Sequence, residues 1–234
     1  MPNMVSIDEP FIPSYLKDTF VDKLQNSNCP LCLPTCFKEY SPKYVKCMDD
    51  KLMVNYIGPG VDDTQAESIS TDFAVSTEVL LYYFEVDIMD KGEHGYIGIG
   101  FANNLDNLNI LPGWGSGTMG YHGDDGQIFD GNIYSNYGQV YGPLYSTGDT
   151  IGCCVNFVDG HVFYTKNGTN LGIAFEVALN EDLFPIVGMR TRGECVKANF
   201  GMKPFKFHID SYAKAFFSET RVIVQGEDIL NRLI

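Results

Sequence analysis

The chain is short of basic residues and of long apolar runs, and each shortage argues against a class of function. Its 234 residues include 30 Asp and Glu but only 16 Lys and Arg, so the formal net charge is −14 at pH 7. Nucleic-acid and anionic-membrane surfaces need clustered Lys and Arg, and the locally basic stretch 197–206 is too sparse to form one. No apolar run approaches the roughly 20 residues that span a bilayer. We therefore expect neither a nucleic-acid nor a membrane partner.

The first residues also lack a targeting signal. Residues 1–18 contain no basic segment followed by an apolar one, which a secretory signal peptide requires. We expect a cytoplasmic or nuclear protein that is not secreted. The apolar fraction of 44% and the aromatic fraction of 13% argue against wholesale disorder. The length suits one large domain with extensions.

Helical patterns are scarce in the middle of the chain. Between positions 52 and 201 at least eight segments are short, β-branched or aromatic, and bounded by Gly, Asn or Asp. The pattern predicts an all-β fold, an antiparallel β-sandwich, with short helical N- and C-terminal extensions. Asp159-Gly160 and Asn167-Gly168 predict tight hairpin turns that join three strands into a meander.

The seven cysteines follow no complete metal-binding pattern. A C-x2-C pair is present, but its second half is missing. An odd count without a secretion signal favours reduced thiols, with a structural zinc or disulfides as the alternatives. The cysteines concerned are Cys29, Cys32, Cys36 and Cys47. Cys153 and Cys154 lie in an apolar strand pattern and should face opposite sides as buried thiols. We predict no metal and no cofactor.

The segment Leu111–Gly126, LPGWGSGTMGYHGDDG, is unusual in composition. It is too rich in glycine for a helix and too aromatic for a flexible linker, so it indicates a structured loop with short strands. Trp114, the only tryptophan, is flanked by loop residues, which favours a partly exposed binding residue over a core position. Asp124 and Asp125 beside His122 suggest acid-base chemistry or a metal, but turn carboxylates that accept backbone N–H groups are the favoured interpretation.

Several segments, in order, resemble a known family. They are YYFEVDIMDKGEHGYIGIGF (82–101), LPGWGSGTMGYHGDDG (111–126), YGPLYSTGDTIGCCVNF (141–157), FYTKNGTNLGIAF (163–175) and LFPIVGMRTRGECVKANFG (183–201). Together they resemble a SPRY (B30.2-like) domain. They are most similar to the SPRY domains of the Ran-binding protein M family, whose members are scaffold subunits of the CTLH (in yeast, GID) ubiquitin ligase. The resemblance predicts a SPRY domain over 33–207, an N-terminal extension over 1–32 and a C-terminal helical tail over 208–234.

The resemblance implies a bent sandwich of two antiparallel sheets that binds proteins without catalysis. Family members bind a peptide or a partner surface through loops at one end of the sandwich. The positions that correspond to those loops are Gly60, Val61, Asp62, Asp63, Leu108, Leu111, Pro112, Gly113, Trp114, Tyr121, Arg190, Thr191, Arg192 and Gly193. Arg190 and Arg192 stand out in so acidic a chain. They suggest a small basic clamp for partner carboxylates or carbonyls, with two solvated surface arginines as the alternative.

The chain also departs from the family. Phe37 stands where the family has tryptophan, and residues 130–142 replace a loop rich in serine and glycine. Family scaffolds continue into LisH, CTLH and CRA regions, whereas this chain ends at Ile234. We therefore expect either part of a CTLH/GID-like ligase scaffold, with other ligase subunits as candidate partners, or a stand-alone SPRY-only adaptor. A remote alternative is a carbohydrate- or metal-dependent site at YHGDDG, residues 121–126.

Overall fold

Alternation of apolar side chains with glycine or polar ones produces a strand-rich fold. The computed structural model describes residues 12–17, 32–38, 42–131 and 137–224. In that part of the chain the strands are β1 (Val45–Cys47), β2 (Met53–Tyr56), β3 (Glu67–Ser70), β4 (Leu81–Lys91), β5 (Gly98–Ala102), β6 (Thr118–His122), β7 (Gln127–Asp130), β8 (Gln139–Val140), β9 (Thr150–Asn156), β10 (His161–Lys166), β11 (Thr169–Glu176), β12 (Phe184–Met189) and β13 (Glu194–Asn199). One α-helix, α1, covers Ile209–Val224, and single 3-10 turns cover Ser14–Leu16, Asp63–Gln65 and Thr77–Val79.

The strands form two antiparallel sheets, as the sequence predicts. One has seven strands in the order β1-β2-β13-β4-β9-β10-β11, and the other has six in the order β3-β12-β5-β6-β7-β8. Aromatic side chains fill the space between them. Phe84 and Phe101 meet edge to face with ring centroids 5.7 Å apart, and the Tyr164 hydroxyl donates to the Ile99 carbonyl at 3.0 Å across the two sheets.

The predicted meander of β9, β10 and β11 is confirmed, but only one of its turns has the predicted form. Asn167 and Gly168 both have positive φ, 50° and 84°, and form the two-residue turn between β10 and β11. The turn at Asp159-Gly160 is longer and spans residues 157–160. There the Asn156 side chain accepts the N–H groups of Val158 and Asp159 at 2.9 and 3.1 Å, which stabilises four residues rather than two.

The terminal extensions pack on the outer face of the seven-stranded sheet. Phe205 and Phe207 lie against Tyr83 of β4, with ring centroids 5.0 and 5.5 Å apart, and Tyr15 accepts the Tyr83 N–H at 2.8 Å. The predicted C-terminal helix is confirmed as α1. Of the predicted N-terminal helix, residues 18–24 lie outside the described residues. No described helix has the length and apolar character needed to cross a membrane.

The described cysteines are not joined in disulfides. These are Cys32, Cys36, Cys47, Cys153, Cys154 and Cys195, while Cys29 lies outside the described residues. Cys153 and Cys154 are fully buried on opposite faces of β9, as predicted. Cys153 pairs with Tyr164 on the core side, and Cys154 lies opposite Tyr83 beneath the terminal aromatic residues. Burial raises the pKa of both thiols.

Candidate functional site

Two of the three predicted loops meet at one end of the six-stranded sheet. The chain folds back at Gly60, whose φ is 70°, and a Cβ there would lie only 3.1 to 3.3 Å from backbone atoms of residues 190–192. Beyond this turn Val61 is 75% exposed. Asp62 caps the following 3-10 turn by accepting the Thr64 N–H at 2.9 Å. The loop 58–63 therefore lies directly on the segment 190–193.

Arg190 joins the two loops through its side chain. Its guanidinium forms an ion pair with Asp63 and lies 3.8 Å from the centre of the Tyr96 ring, in a cation–π contact. The ion pair occupies Nη1, while Nε is buried and has no hydrogen-bond partner among the described residues. The predicted basic clamp therefore contains a carboxylate and an aromatic ring of the protein itself.

A third segment at this end, Glu93–Tyr96, was not predicted from the sequence as part of the site. The Glu93 N–H donates to the Arg192 carbonyl at 3.0 Å, and the His94 N–H donates to the Thr191 hydroxyl at 3.4 Å. The segment lies between β4 and β5 in a sequence, KGEHGY, whose glycines mark a turn. That turn was visible in the sequence, but its contact with a loop nearly one hundred residues away was not.

Below the loops, the carboxylate of Glu194 accepts several hydrogen bonds. Oε2 accepts the N–H groups of Arg190 and Thr191, each at 2.7 Å, and Oε1 accepts the Thr191 hydroxyl. Glu194 is only 1% exposed, and burial raises its pKa to about 7 despite the donors around it. Thr191, also buried, is thus held inside the loop and does not reach the surface.

We call this arrangement the loop surface: residues 61–63, 93–96, 190, 192 and 193, most of which are at least partly exposed. Arg192 and Gly193 are exposed at its edge. Asp62, Asp63 and Glu93 give it an acidic rim around Arg190. Of the predicted contact residues, Val61, Asp62, Asp63, Arg190, Arg192 and Gly193 belong to it, with Gly60 as its turn.

The LPGW segment lies on the outer face of the six-stranded sheet, beside the strand ends that carry segments 93–96 and 190–193. It crosses the outer face of the six-stranded sheet, where Ser68, Gly188, Gly98 and His122 form one row across four strands. A Cβ on Gly98 or Gly188 would lie 2.8 or 2.5 Å from the Pro112 ring. We call residues 108–114 the strap. It can lie this close to the sheet because Gly98, Gly120 and Gly188 beneath Pro112 have no side chains.

Backbone hydrogen bonds fix the strap along its length. The Leu108 carbonyl accepts the Ser68 N–H at 2.7 Å, and the Gly113 N–H donates to the Thr118 hydroxyl at 2.9 Å. Leu111 and its two successors, Pro112 and Gly113, are buried. Their side chains therefore hold the strap in place and present no surface to a partner, contrary to our expectation.

Trp114 and Tyr121 have different surroundings. Trp114 is 36% exposed, with its ring 5.9 Å from that of His122, so the expectation of partial exposure is met. Tyr121 is fully buried and faces the core, where its hydroxyl donates to the Pro143 carbonyl. The predicted contact of Tyr121 with a partner is therefore wrong, because alternation along β6 turns its ring inward.

The YHGDDG turn has the properties of a structural loop. His122 is buried, its pKa is lowered by burial to about 4, and its Nε2–H donates to the Pro112 carbonyl at 2.8 Å. Asp125 accepts the Gln127 N–H at 2.9 Å, as a turn carboxylate does. Burial, followed by the nearby Asp125, raises the pKa of Asp124 to about 6. Within the described ranges, no group of three or more His, Cys, Asp or Glu residues is arranged to hold a metal ion.

The comparisons with known proteins agree with this architecture. The SPRY domain model matches residues 81–203. The chain belongs to the SPRY family. SPRY domains are protein-interaction modules, and the matched residues include two of the three segments of the loop surface and the whole strap.

Relatives of this SPRY domain are Ran-binding proteins. The chain is 47% identical over 180 residues to the Ran-binding proteins 9/10 homolog of Drosophila melanogaster, covering 75% of this chain and 18% of the relative. It is 45% identical to Ran-binding protein 9 of Homo sapiens over 81% of this chain and 26% of the relative. It is 34% identical to the Ran-binding protein M homolog of Arabidopsis thaliana, over 70% of this chain and 34% of the relative. The chain thus spans about a fifth to a third of these relatives.

Solved structures show the same fold. The structure is similar to a crystal structure of a human SPRY domain, with a TM-score of 0.57 and 28% identity, over 69% of this chain and all of the other. It is also similar to the SPRY domain of human HERC1, with a TM-score of 0.56 over 71% of this chain and all of the other. At 17% identity the second similarity concerns the fold alone.

Proposed function

We propose that this SPRY domain binds a segment of a partner protein at the loop surface, without catalysing a reaction. The observation that carries the proposal is the convergence of three separate chain segments on Arg190, which contacts Asp63 and Tyr96. Exposed loops held on a rigid sandwich are typical sites of recognition. Arginine and tyrosine are also the residue types that contribute most to binding energy at interfaces.

The chemistry of the loop surface favours a partner that combines an acceptor with positive charge. The Arg190 side chain is 16% exposed, so a partner carbonyl or carboxylate can approach its accessible part, whereas its buried Nε is out of a partner's reach. Around it the acidic rim of Asp62, Asp63 and Glu93 favours a basic partner segment. Trp114 on the strap offers a second, apolar contact.

The wider context that we propose is a CTLH/GID-like ubiquitin-ligase scaffold in the cytoplasm or nucleus. The support is the similarity to Ran-binding proteins 9 and 10, which are several times longer than the matched region. In this setting other ligase subunits are candidate partners. The competing proposal is an adaptor that consists of the SPRY domain alone and is unrelated to ubiquitination. Co-migration with purified ligase subunits on size-exclusion chromatography favours the scaffold, and separate elution favours the adaptor.

The binding site is tested with peptides selected from a phage-displayed library of random peptides on the full chain. Arg190→Ala should weaken binding of the selected peptide at least about tenfold, because it removes the centre of the loop surface. Trp114→Ala tests the strap separately. Lys197→Ala is the matched control, since it removes one positive charge from the other sheet, where Lys197 pairs with Asp50.

Circular dichroism of each variant establishes that the fold persists. If folded Arg190→Ala and Trp114→Ala proteins both bind the peptide as tightly as the original chain, the proposed site is wrong. If Lys197→Ala weakens binding as much as Arg190→Ala, general electrostatic attraction explains the binding and a defined site does not.

A further inference from the structure

Three buried glutamates of this domain serve the same structural purpose. Each carboxylate accepts backbone N–H groups that make no hydrogen bond within a sheet. Glu67 holds residues 43–45 in this way, and Glu85 accepts the N–H groups of Lys206 and Phe207, both at 3.0 Å. Glu194 differs in what it holds, because its donors belong to the segment that carries Arg190.

Glu194 holds the backbone of residues 190 and 191 through hydrogen bonds to its side chain. β12 ends at Met189 and β13 begins at Glu194, so residues 190–193 form the turn between strands of different sheets. The two 2.7 Å bonds from the Arg190 and Thr191 N–H groups end on one oxygen of Glu194. Arg190 in turn contacts the Tyr96 ring through its cation–π interaction. The carboxylate therefore fixes the backbone of the residue on which this pair depends.

The strength of this connection depends on the charge of Glu194. A hydrogen bond to a carboxylate is roughly twice as strong as one to a neutral acceptor. On protonation, Oε1–H can donate to the Thr191 hydroxyl, which reverses that bond, while the N–H groups on Oε2 keep only a neutral acceptor. The donors lower the pKa of Glu194 against the larger, opposite effect of burial, so protonation favours their release while the carboxyl group stays buried. The loop is then held by weaker bonds, although the fold around it is intact.

Few charged groups surround Glu194. Lys91 of β4 is its partner across the two strands and is exposed. Tyr56 on β2 and Tyr145 face it, and burial raises the pKa of both, so they are neutral near pH 7. Arg190 is paired with Asp63, and the imidazole of His94 is exposed at the surface. Glu194, with its pKa raised to about 7, is thus the group beneath the loop that changes charge in this range.

We propose that the ionised carboxylate of Glu194 is the positioning group of the loop surface, so that protonation of this one side chain loosens Arg190 and its contact with Tyr96 and weakens partner binding. The inference rests on the proposed function for its consequence, but the positioning itself is measurable without a partner. Protonation of Glu194 makes partner binding by the SPRY domain sensitive to pH between about 6 and 8.

The first experiment follows backbone amides of the full chain by NMR between pH 5.5 and 8.5. The amide resonances of Arg190 and Thr191 should move together with a midpoint near 7. Their hydrogen-exchange protection, corrected for the intrinsic pH dependence, should fall about tenfold from pH 8 to pH 6. Constant protection across this range would overturn the proposal, and this measurement on the original chain needs no variant.

The second experiment compares variants with the phage-selected peptide as the probe. The original chain should bind the peptide about tenfold more weakly at pH 6 than at pH 8. The Glu194→Gln variant should bind it weakly at both pH values, so that its affinity shows no step near pH 7. Glu85→Gln is the matched control, because that buried carboxylate holds the C-terminal segment at the opposite end of the β4–β13 pair. It should keep the original pH profile.

A second carboxyl group near this end, that of Asp124, has its pKa raised to about 6. Asp124→Asn removes its contribution and should leave the step near pH 7 in place. If the step disappears in Asp124→Asn and persists in Glu194→Gln, Asp124 and not Glu194 controls binding. If no peptide is selected, the proposed function fails, while the amide measurements still decide whether Glu194 positions the loop.

Discussion

At the scale of single residues, glycines at alternate strand positions leave room for the strap on the outer face of the six-stranded sheet. Gly98 and Gly120 lie on the same face of β5 and β6, and Gly188 continues that face on β12. Each is a weak strand former, so local preference alone does not explain them. They are explained by Pro112, which occupies the space that their side chains would need.

Replacing Gly120 by alanine should therefore destabilise the domain by about 3 kcal/mol, because its Cβ would lie 2.5 Å from Pro112 Cβ. Urea denaturation measures the change in unfolding free energy. Gly148→Ala is the contrasting variant, since Gly148 has φ 90° and nothing within 4 Å. It should lose only about 1 kcal/mol from backbone strain. Equal losses in the two variants would contradict the steric explanation.

His122 provides a second prediction at this scale. Burial lowers its pKa from 6.5 to about 4, so between these values the unfolded chain binds more protons than the folded one. Stability from His122 is therefore complete above pH 6.5 and falls by about 3 kcal/mol as the pH drops towards 4.

His122→Gln should lack this loss. The comparison is the difference in unfolding free energy between variant and original chain from pH 4 to pH 7. Asp124 and Glu194 act in the opposite direction, because raised pKa values favour the fold at low pH, but they contribute equally to both proteins and cancel. A difference that does not vary with pH would show that His122 is not the neutral, buried group described here.

At the scale of elements, the sequence predicts the type of a strand, turn or loop better than its position in the fold. The alternation in residues 52–201 was enough to predict an antiparallel sandwich, and Asn167-Gly168 predicted its turn correctly. The composition of residues 111–114 also identified a structured loop. Its place on the sheet depends on glycines of β5, β6 and β12, which lie far apart in the chain, so the loop sequence alone could not reveal it. A regular Gly-x-Gly in β5 was the available signal.

Helix α1 is the element whose removal tests the predicted boundary at residue 207. Its Tyr212 ring lies 5.3 Å from Phe163 of β10, and Ile209 and Ala213 are buried. A chain that ends at Phe207 should lose roughly 3 kcal/mol of unfolding free energy and bind a hydrophobic dye, because these contacts cover apolar surface of the seven-stranded sheet.

The same denaturation experiment on Lys214→Ala, an exposed position of α1, should show almost no change. If the shortened chain is as stable as the full one, α1 is an independent extension, as the predicted boundary implies. A large loss instead places the helix within the SPRY fold of this protein.

At the scale of the whole molecule, the excess of acidic residues opposes compactness. The net charge is −14, so the acidic side chains repel one another across the folded surface. Salt at 0.1 M screens this repulsion beyond about 10 Å. The midpoint of thermal unfolding should therefore rise by several degrees between 10 and 200 mM NaCl. An unchanged or falling midpoint would show that attractive pairs such as Arg190–Asp63 outweigh the repulsion.

The position of the strap also has a consequence during translation. The sheet surface beneath the strap includes Gly188 of β12, which the ribosome adds long after Pro112. At elongation rates of about 5–20 residues per second, the LPGW segment waits for several seconds without the surface that buries it. During translation it is therefore an exposed apolar stretch. A nascent chain halted between Pro112 and Gly188 is the species that most needs a chaperone.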